Sequence, residues 1–184
     1  MTDYDHQDEE VRASHVGTHT SERIADAMRS LPRDQFIEMS EPSRVQGRSI
    51  PPTNAVSEIL EHAEVQPQHH VLQIGTGAGY VAALLSKLTQ QVVTVEKNPA
   101  IARCAQERFN KLGLANLVLR EQDGSLGAAD LGPFDRILVS SPRIKQKSAL
   151  LEQLAPEGLL IALEQGENET HILTRYELTE LGAP

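Results

Sequence analysis

From residue 71 onward, short apolar runs alternate with segments of helical periodicity, and this alternation restricts the folds open to the chain. It predicts strands at 71–74, 92–95, 117–119, 137–139, 159–163 and 171–176. Helices are predicted between them, at 81–88, 99–112 and 148–154. Strands that alternate with helices form a mostly parallel, twisted sheet with helices on both faces. The sequence therefore predicts an α/β fold of the Rossmann-like kind.

The N-terminal third divides into an arm and two helices. Residues 1–20 are acidic and polar without a hydrophobic period, a pattern typical of a disordered arm. Apolar residues at helical spacing follow Ser21 and predict a helix that Pro32 stops. A second helix follows a capping residue at 53–54. We expect one domain, at residues 21–184.

The charge and cysteine content exclude several classes of function. With 17 basic and 26 acidic residues, the chain has a formal net charge of −9. Proteins that bind nucleic acid need a basic face, so we expect no nucleic-acid partner. One cysteine, Cys104, excludes an internal disulfide and suits a reducing compartment. No apolar run approaches the ~20 residues of a membrane span, and the acidic N-terminus is unlike a signal peptide. We expect a cytoplasmic protein that neither enters a membrane nor binds a metal.

A glycine-rich loop, Gly75-Thr76-Gly77-Ala78-Gly79, lies between the first predicted strand of the alternating region and its helix. Ligands of such sheets bind at the carboxyl ends of the strands, and glycine lets the backbone approach them closely. Glu96 ends the next strand, about twenty residues on, where a carboxylate can accept from both ribose hydroxyls. Asp123 follows the third strand, where it can accept from an adenine amino group, and Gly124 leaves room beside the ring.

Two cofactor classes and one purely structural alternative fit these residues. A dinucleotide fingerprint places its third glycine at the sixth position, where this chain has Tyr80. Glycines at the first, third and fifth positions instead resemble a methyltransferase loop, which accommodates a methionine tail. The structural alternative is a plain strand-to-helix turn at the loop, with an Asp-Gly turn at 123–124. The acids at two successive strand ends favour a nucleoside-containing cofactor.

Five segments closely resemble protein-L-isoaspartate O-methyltransferases: LPRDQF at 31–36, VLQIGTGAGY at 71–80, TVE at 94–96, DGSLG at 123–127 and PFDRILV at 133–139. The resemblance extends over residues 23–163 and implies a class I methyltransferase fold. It implies S-adenosyl-L-methionine as cofactor and S-adenosyl-L-homocysteine as product. By this resemblance, the cofactor would contact Gly75, Thr76, Gly77, Ala78, Gly79, Glu96, Lys97, Asp123 and Gly124.

The resemblance also implies a substrate, the isoaspartyl carboxylate of a damaged protein or peptide. Methyl transfer to a carboxylate needs little acid–base help, because the carboxylate is already nucleophilic at neutral pH. The protein must mainly align oxygen, methyl carbon and sulfur.

The chain departs from the family pattern on the substrate side. The family serine that is thought to position the substrate corresponds to Pro51, which offers neither a hydroxyl nor an N–H group. Ser49 keeps a hydroxyl nearby and is the remaining catalytic candidate. Gln73 replaces an acid that would face the methionine ammonium group. The segment before Gly47 is shorter than in the family, and the chain stops before the family's usual closing strand.

Three hypotheses remain open on the sequence. The first is a methyltransferase for isoaspartyl carboxylates, supported by the motif set. The second is a degenerate family member that acts as a binding or docking module, supported by Pro51 and Gln73, with a possible fused partner domain if the chain is part of a longer one. The third is a methyltransferase for another small acid or protein.

Overall fold

The computed structural model describes residues 18–37, 50, 52–140, 146–165 and 171–177. Within them, six strands form one sheet: β1 (His70–Ile74), β2 (Gln91–Glu96), β3 (Leu117–Glu121), β4 (Phe134–Val139), β5 (Leu154–Gln165) and β6 (His171–Glu177). Their order is β3-β2-β1-β4-β5-β6. The first five strands run parallel, and β6 pairs antiparallel with β5. The predicted α/β, Rossmann-like fold is confirmed.

Six α-helices occur in the described residues: α1 (Thr18–Ser30), α2 (Asp34–Ile37), α3 (Thr53–His62), α4 (Tyr80–Leu88), α5 (Pro99–Lys111) and α6 (Lys147–Leu151). Two predicted boundaries were wrong. Helix α1 begins inside the predicted arm, whose residues 1–17 lie outside the described part. Helix α6 ends before Leu154, because Leu154 pairs with Phe134 and begins β5.

Helix α5 begins where the sequence predicts, directly after the second strand. The Asn98 side chain accepts hydrogen bonds from the backbone N–H groups of Ala100 and Ile101, at 3.0 and 3.2 Å. Pro99 occupies the first turn, where its missing N–H group costs nothing. This cap fixes the start of α5 three residues beyond Glu96, the last residue of β2.

Helices cover both faces of the sheet and bury two aliphatic layers. On one face, residues of α1, α3, α4 and α5 pack against β1 and β2, with Phe36 and Phe109 fully enclosed. On the other face, Leu150 of α6 packs with Phe134 and the strand centres. Because both faces are covered, the central strands are nearly continuous apolar runs. None of the helices in the described segments has the length and apolar character that crossing a membrane requires.

His69 directly precedes β1 and His70 begins it, and neither side chain is fully exposed. His69 is 9% exposed, and its Nδ1 atom accepts the backbone N–H of Gln66 at 3.1 Å. The His70 ring packs against the Phe134 ring, with centroids 4.7 Å apart. Burial is the main cause that lowers the pKa of both imidazoles below the ordinary value of 6.5.

We therefore expect the free energy of unfolding to fall on acidification. A lowered pKa means that the folded state binds its proton less readily than the unfolded chain. Stability should be complete above pH 6.5 and decline as the pH drops from there toward the folded-state pKa. Urea unfolding of the wild type and of His69→Asn between pH 7.5 and 5 measures this effect. The asparagine oxygen can still accept from Gln66 but does not titrate, so an equally steep decline in the variant would refute a contribution from His69.

Candidate functional site

The glycine loop is fastened to the carboxyl edge of the sheet. Residues 75–79 follow β1, and the backbone N–H groups of Gly75 and Thr76 both donate to the Val95 carbonyl in β2, at 2.9 and 3.2 Å. The N–H of Gly79 then donates back to the Thr76 carbonyl at 2.9 Å, which closes the turn before α4. The loop is thereby held beside the ends of β1 and β2.

The Glu96 carboxylate is buried and bonded to the loop. Glu96 lies at the end of β2 and is 1% exposed. One carboxylate oxygen accepts the backbone N–H of Gly77 at 3.0 Å, and the other accepts that of Asn98 at 2.9 Å. Carboxylate oxygens are also the acceptors that ligand hydroxyls use, and each can accept more than one hydrogen bond. Glu96 therefore has two roles open to it, shaping the loop and binding a ligand.

Space for a ligand lies beside the middle of the loop. A side chain at Gly77 would meet no atom within 4 Å. At Gly79, in contrast, a Cβ atom would lie 2.7 Å from a ring carbon of Phe109. One side of the loop is thus packed against α5, and the Gly77 position faces open space. This arrangement fits a ligand that lies along residues 75–77 and reaches Glu96.

Asp123 and Lys97 lie at the same edge and form an ion pair. Lys97 Nζ is 3.3 Å from one Asp123 oxygen, and the other oxygen accepts the Ser125 N–H at 2.9 Å. The hydrogen bond from the Ser125 backbone is the largest of the causes that lower the pKa of Asp123, and Lys97 adds to it. The carboxylate is exposed, and its lowered pKa favours the ionised form, which accepts hydrogen bonds with both oxygens.

The structure explains Gly124 differently from the sequence. A Cβ atom there would lie 2.6 Å from Ile74 Cγ2 and 3.4 Å from Val95 Cγ1. The missing side chain thus makes room for two apolar residues at the ends of β1 and β2. Room beside an adenine ring, the reason expected from the sequence, is not what this contact provides.

Gln73 belongs to a buried hydrogen-bond network below the loop. Its amide nitrogen donates to the Gly75 carbonyl at 3.3 Å, and its amide oxygen accepts from the Thr94 hydroxyl at 3.1 Å. The Thr94 and Thr76 hydroxyls are 2.7 Å apart. A glutamate at position 73 would present an oxygen to the Gly75 carbonyl, so the neutral amide is the group that fits. The Thr76 side chain is also committed to this network.

One residue near the loop escaped the sequence analysis. Arg108 in α5 is 3% exposed, and its Nη1 atom donates to the carbonyl of Ala78. Its guanidinium lies 5.4 Å from the centre of the Phe36 ring. The helical pattern shows only that position 108 is next to the buried Phe109. That the side chain extends back to the loop follows from the tertiary structure, in which the neighbouring Phe109 packs against Gly79.

The structure thus brings together the residues predicted to bind the cofactor, namely the loop residues 75–79, Glu96, Lys97, Asp123 and Gly124. The substrate-side residues Ser49 and Pro51 lie outside the described part of the chain. In the described residues, no cluster of three or more His, Cys, Asp or Glu side chains could hold a metal ion.

Comparisons with known sequences match the same family over nearly the whole chain. The family model for protein-L-isoaspartate(D-aspartate) O-methyltransferase matches residues 9–180. A protein-L-isoaspartate O-methyltransferase of Dinoroseobacter shibae is 38% identical over 136 residues, which cover 74% of this chain and 63% of that protein. One from Rhodopseudomonas palustris is 33% identical over 172 residues, covering 89% and 80%.

Solved structures show the same fold. A protein-L-isoaspartate O-methyltransferase superimposes with a TM-score of 0.72 at 22% identity, covering 88% of this chain and 57% of that one. A putative family member from Plasmodium falciparum, solved in complex with S-adenosyl-L-homocysteine, gives a TM-score of 0.60 at 17% identity and covers 85% and 88%. The chain therefore spans 63% of the Dinoroseobacter relative and 57% of the first of these structures. By its sequence, this chain belongs to the protein-L-isoaspartate(D-aspartate) O-methyltransferase family.

Proposed function

We propose that this chain binds S-adenosyl-L-methionine at the glycine loop and transfers its methyl group to the isoaspartyl carboxylate of damaged proteins. The observation that carries the proposal is the buried Glu96 carboxylate, bonded to Gly77 beside open space. Family membership supports the cofactor and the substrate class.

The residues present fit the cofactor in three places. Glu96 would accept from the ribose hydroxyls, and Asp123 would accept from the adenine amino group. The backbone of residues 75–77 would lie along the methionine portion. A structure of the same fold was solved in complex with S-adenosyl-L-homocysteine, which supports the choice of cofactor.

When bound, the cofactor supplies a methyl group on a positively charged sulfur, which is already activated for transfer. The substrate carboxylate needs no general base, because it is ionised at neutral pH. What remains for this chain is to hold the donor in one place and to exclude competing nucleophiles. Orientation of this kind can account for a large part of a rate enhancement.

The setting we propose is the cytoplasm, with isoaspartyl-containing proteins or peptides as partners. The single cysteine, which suits a reducing compartment, supports it. The acidic net charge argues against nucleic acid as a substrate. A fused or docking partner domain stays a proposal.

A second candidate function is a docking module that retains the cofactor fold without efficient catalysis. The observation that favours it is Pro51 at the position of the family serine. Proline has no hydroxyl or N–H group to orient a substrate, and Pro51-Pro52 restricts the backbone there.

An assay with an isoaspartyl peptide and methyl-labelled cofactor separates the two functions. We expect weak transfer by the wild type, because loss of one positioning contact commonly costs 10²-fold or more. Pro51→Ser combined with Pro52→Gln should raise the rate. The Rhodopseudomonas palustris relative serves as positive control. Vigorous wild-type transfer would exclude the docking module, whereas no transfer by either protein, with the cofactor bound, would contradict the proposed enzyme.

A further inference from the structure

The turn that follows β3, at residues 123–127, is held in place by one buried glutamine. Gln153 lies between α6 and β5. Its amide oxygen accepts the backbone N–H of Ala128 at 2.8 Å, and its amide nitrogen donates to the carbonyls of Leu126 and Ala149 at 2.8 and 2.6 Å. The amide thus uses its oxygen and both of its N–H groups. These three hydrogen bonds tie the end of the turn to α6.

The Gln153 amide fills the space beside Gly127 that a side chain would need. Gly127 has φ 69°, in the left-handed region, and a Cβ atom there would lie 2.6 Å from the Gln153 amide nitrogen and closer still to its oxygen. The Gln122 amide also donates to the Gly127 carbonyl, at 2.9 Å. At the other end of the turn, Gly124 packs closely on Ile74. The turn is therefore fixed at both ends, by the strands at Gly124 and by Gln153 at Gly127.

The position of the Asp123 carboxylate depends on this turn. In the described part of the chain, its hydrogen bonds come from Ser125 in the same turn and from Lys97, whose side chain is exposed. The carboxylate is exposed as well, so packing against the core does not hold it. Glu96, in contrast, is buried and is held by two backbone N–H groups. A shift of the turn would therefore move the Asp123 oxygens and leave Glu96 in place.

Removal of the Gln153 amide would release the end of the turn. The N–H of Ala128 is buried, and a buried donor without an acceptor is costly, so the backbone would shift to reach water or another partner. Hydrogen bonds weaken steeply once distance and angle leave a narrow range. A small displacement of Asp123 would therefore be enough to lose a hydrogen bond from a ligand amino group.

We propose that Gln153 is a positioning residue, which sets the preference of the site for a purine with an amino group. It does not contact the ligand and acts through the turn at residues 123–127, whose Asp123 carboxylate it holds in place. The inference rests on the proposed function, in which Asp123 accepts from the adenine amino group. It adds a residue between α6 and β5 that determines how well this contact is made.

The test compares S-adenosyl-L-homocysteine with its 6-deamino analogue, in which hydrogen replaces the purine amino group. Calorimetry measures the affinity of each variant for both ligands. We expect the wild type to prefer S-adenosyl-L-homocysteine by about tenfold or more, as for a hydrogen bond to a charged group. Gln153→Met keeps the length of the side chain but removes its hydrogen bonds. This variant should lower the preference to less than about threefold, mainly by weakening the binding of S-adenosyl-L-homocysteine.

Two further variants separate positioning from stability. Gln153→Glu keeps the acceptor for Ala128 and loses the donor to Leu126, so it should also lower the preference, and it serves if Gln153→Met does not fold. Asn116→Leu is the matched control. The Asn116 amide also donates three hydrogen bonds to backbone carbonyls, at 2.9, 3.2 and 3.3 Å, but it lies before β3, at the opposite end of that strand from Asp123. This variant should lower the free energy of unfolding and keep the wild-type preference.

Three results would overturn the inference. The first is a wild-type preference in the folded Gln153 variants, including equal losses of affinity for both ligands, because Gln153 would then contribute only to stability. The second is an equally large loss of preference in Asn116→Leu. The third is a wild type that binds both ligands equally, which would remove the amino contact but leave the cofactor site supported. A wild type that binds neither ligand would instead contradict the proposed function itself.

Discussion

Glu96→Gln is expected to lower the affinity for S-adenosyl-L-methionine by roughly 10- to 100-fold. The Glu96 oxygens accept from Gly77 and Asn98, so an amide in either orientation points its NH₂ group at a backbone donor. The substitution also removes the charged acceptor for the ribose hydroxyls, and a hydrogen bond to a charged group contributes about 1.5–3 kcal/mol. Calorimetric titration measures the loss.

Glu121→Gln is the matched control for this experiment. Glu121 lies beside Glu96 on the neighbouring strand, in register, but its side chain is exposed. This substitution removes the same charge from the same edge of the sheet. Because the charge is exposed and screened, the affinity of the Glu121→Gln variant for S-adenosyl-L-methionine should stay within a factor of about two or three of the wild-type affinity. Equal losses in the two variants would mean that Glu96 acts only through overall charge, and would exclude it as a ribose ligand.

Gly79→Ala is expected to destabilise the fold by about 2–5 kcal/mol. Gly79 has φ 86°, a left-handed conformation that costs a residue with a Cβ atom roughly 1–2 kcal/mol. The new methyl group would also lie 2.7 and 2.9 Å from two ring atoms of the buried Phe109. Overpacking of this kind typically adds about 1–3 kcal/mol. Urea denaturation gives the total.

Gly113→Ala separates the two contributions. Gly113 has φ 63°, but a Cβ atom there would meet nothing within 4 Å. Its variant should therefore show only the conformational cost of about 1–2 kcal/mol. If Gly79→Ala lost no more stability than Gly113→Ala, the close packing between the loop and α5 would not be a source of stability.

The sheet and the loop could be predicted because their signals are local. Apolar runs mark the strands, and the carboxyl ends of adjacent parallel strands lie at one edge, which places Glu96 and Asp123 near the glycines. The Asn98 cap is equally local, since its side chain bonds the next turn of its own helix. These features needed no knowledge of packing between distant segments.

The rest of the site depends on contacts that a linear pattern does not contain. Arg108 contacts Ala78, 30 residues away in the sequence, and Gly124 contacts Ile74, 50 residues away. Such contacts arise because helices and turns pack onto strands and loops that lie much earlier in the sequence. The sequence indicated only that Gln73 lacks the charge of the family's acid. In the structure, its amide nitrogen donates one hydrogen bond and its amide oxygen accepts another. The burial of His69 likewise has no signal in the local sequence. In each case tertiary packing gives a polar or small residue its partner.

The most direct test of the cofactor site is a calorimetric titration of the wild-type protein with S-adenosyl-L-homocysteine, the stable product. It needs no turnover and no substrate, so Pro51 does not affect the outcome. The buried Glu96 carboxylate and the open space at Gly77 predict saturable binding with one site per chain. The absence of any heat of binding at millimolar ligand, with the protein folded, would contradict the assignment of the glycine loop as a cofactor site.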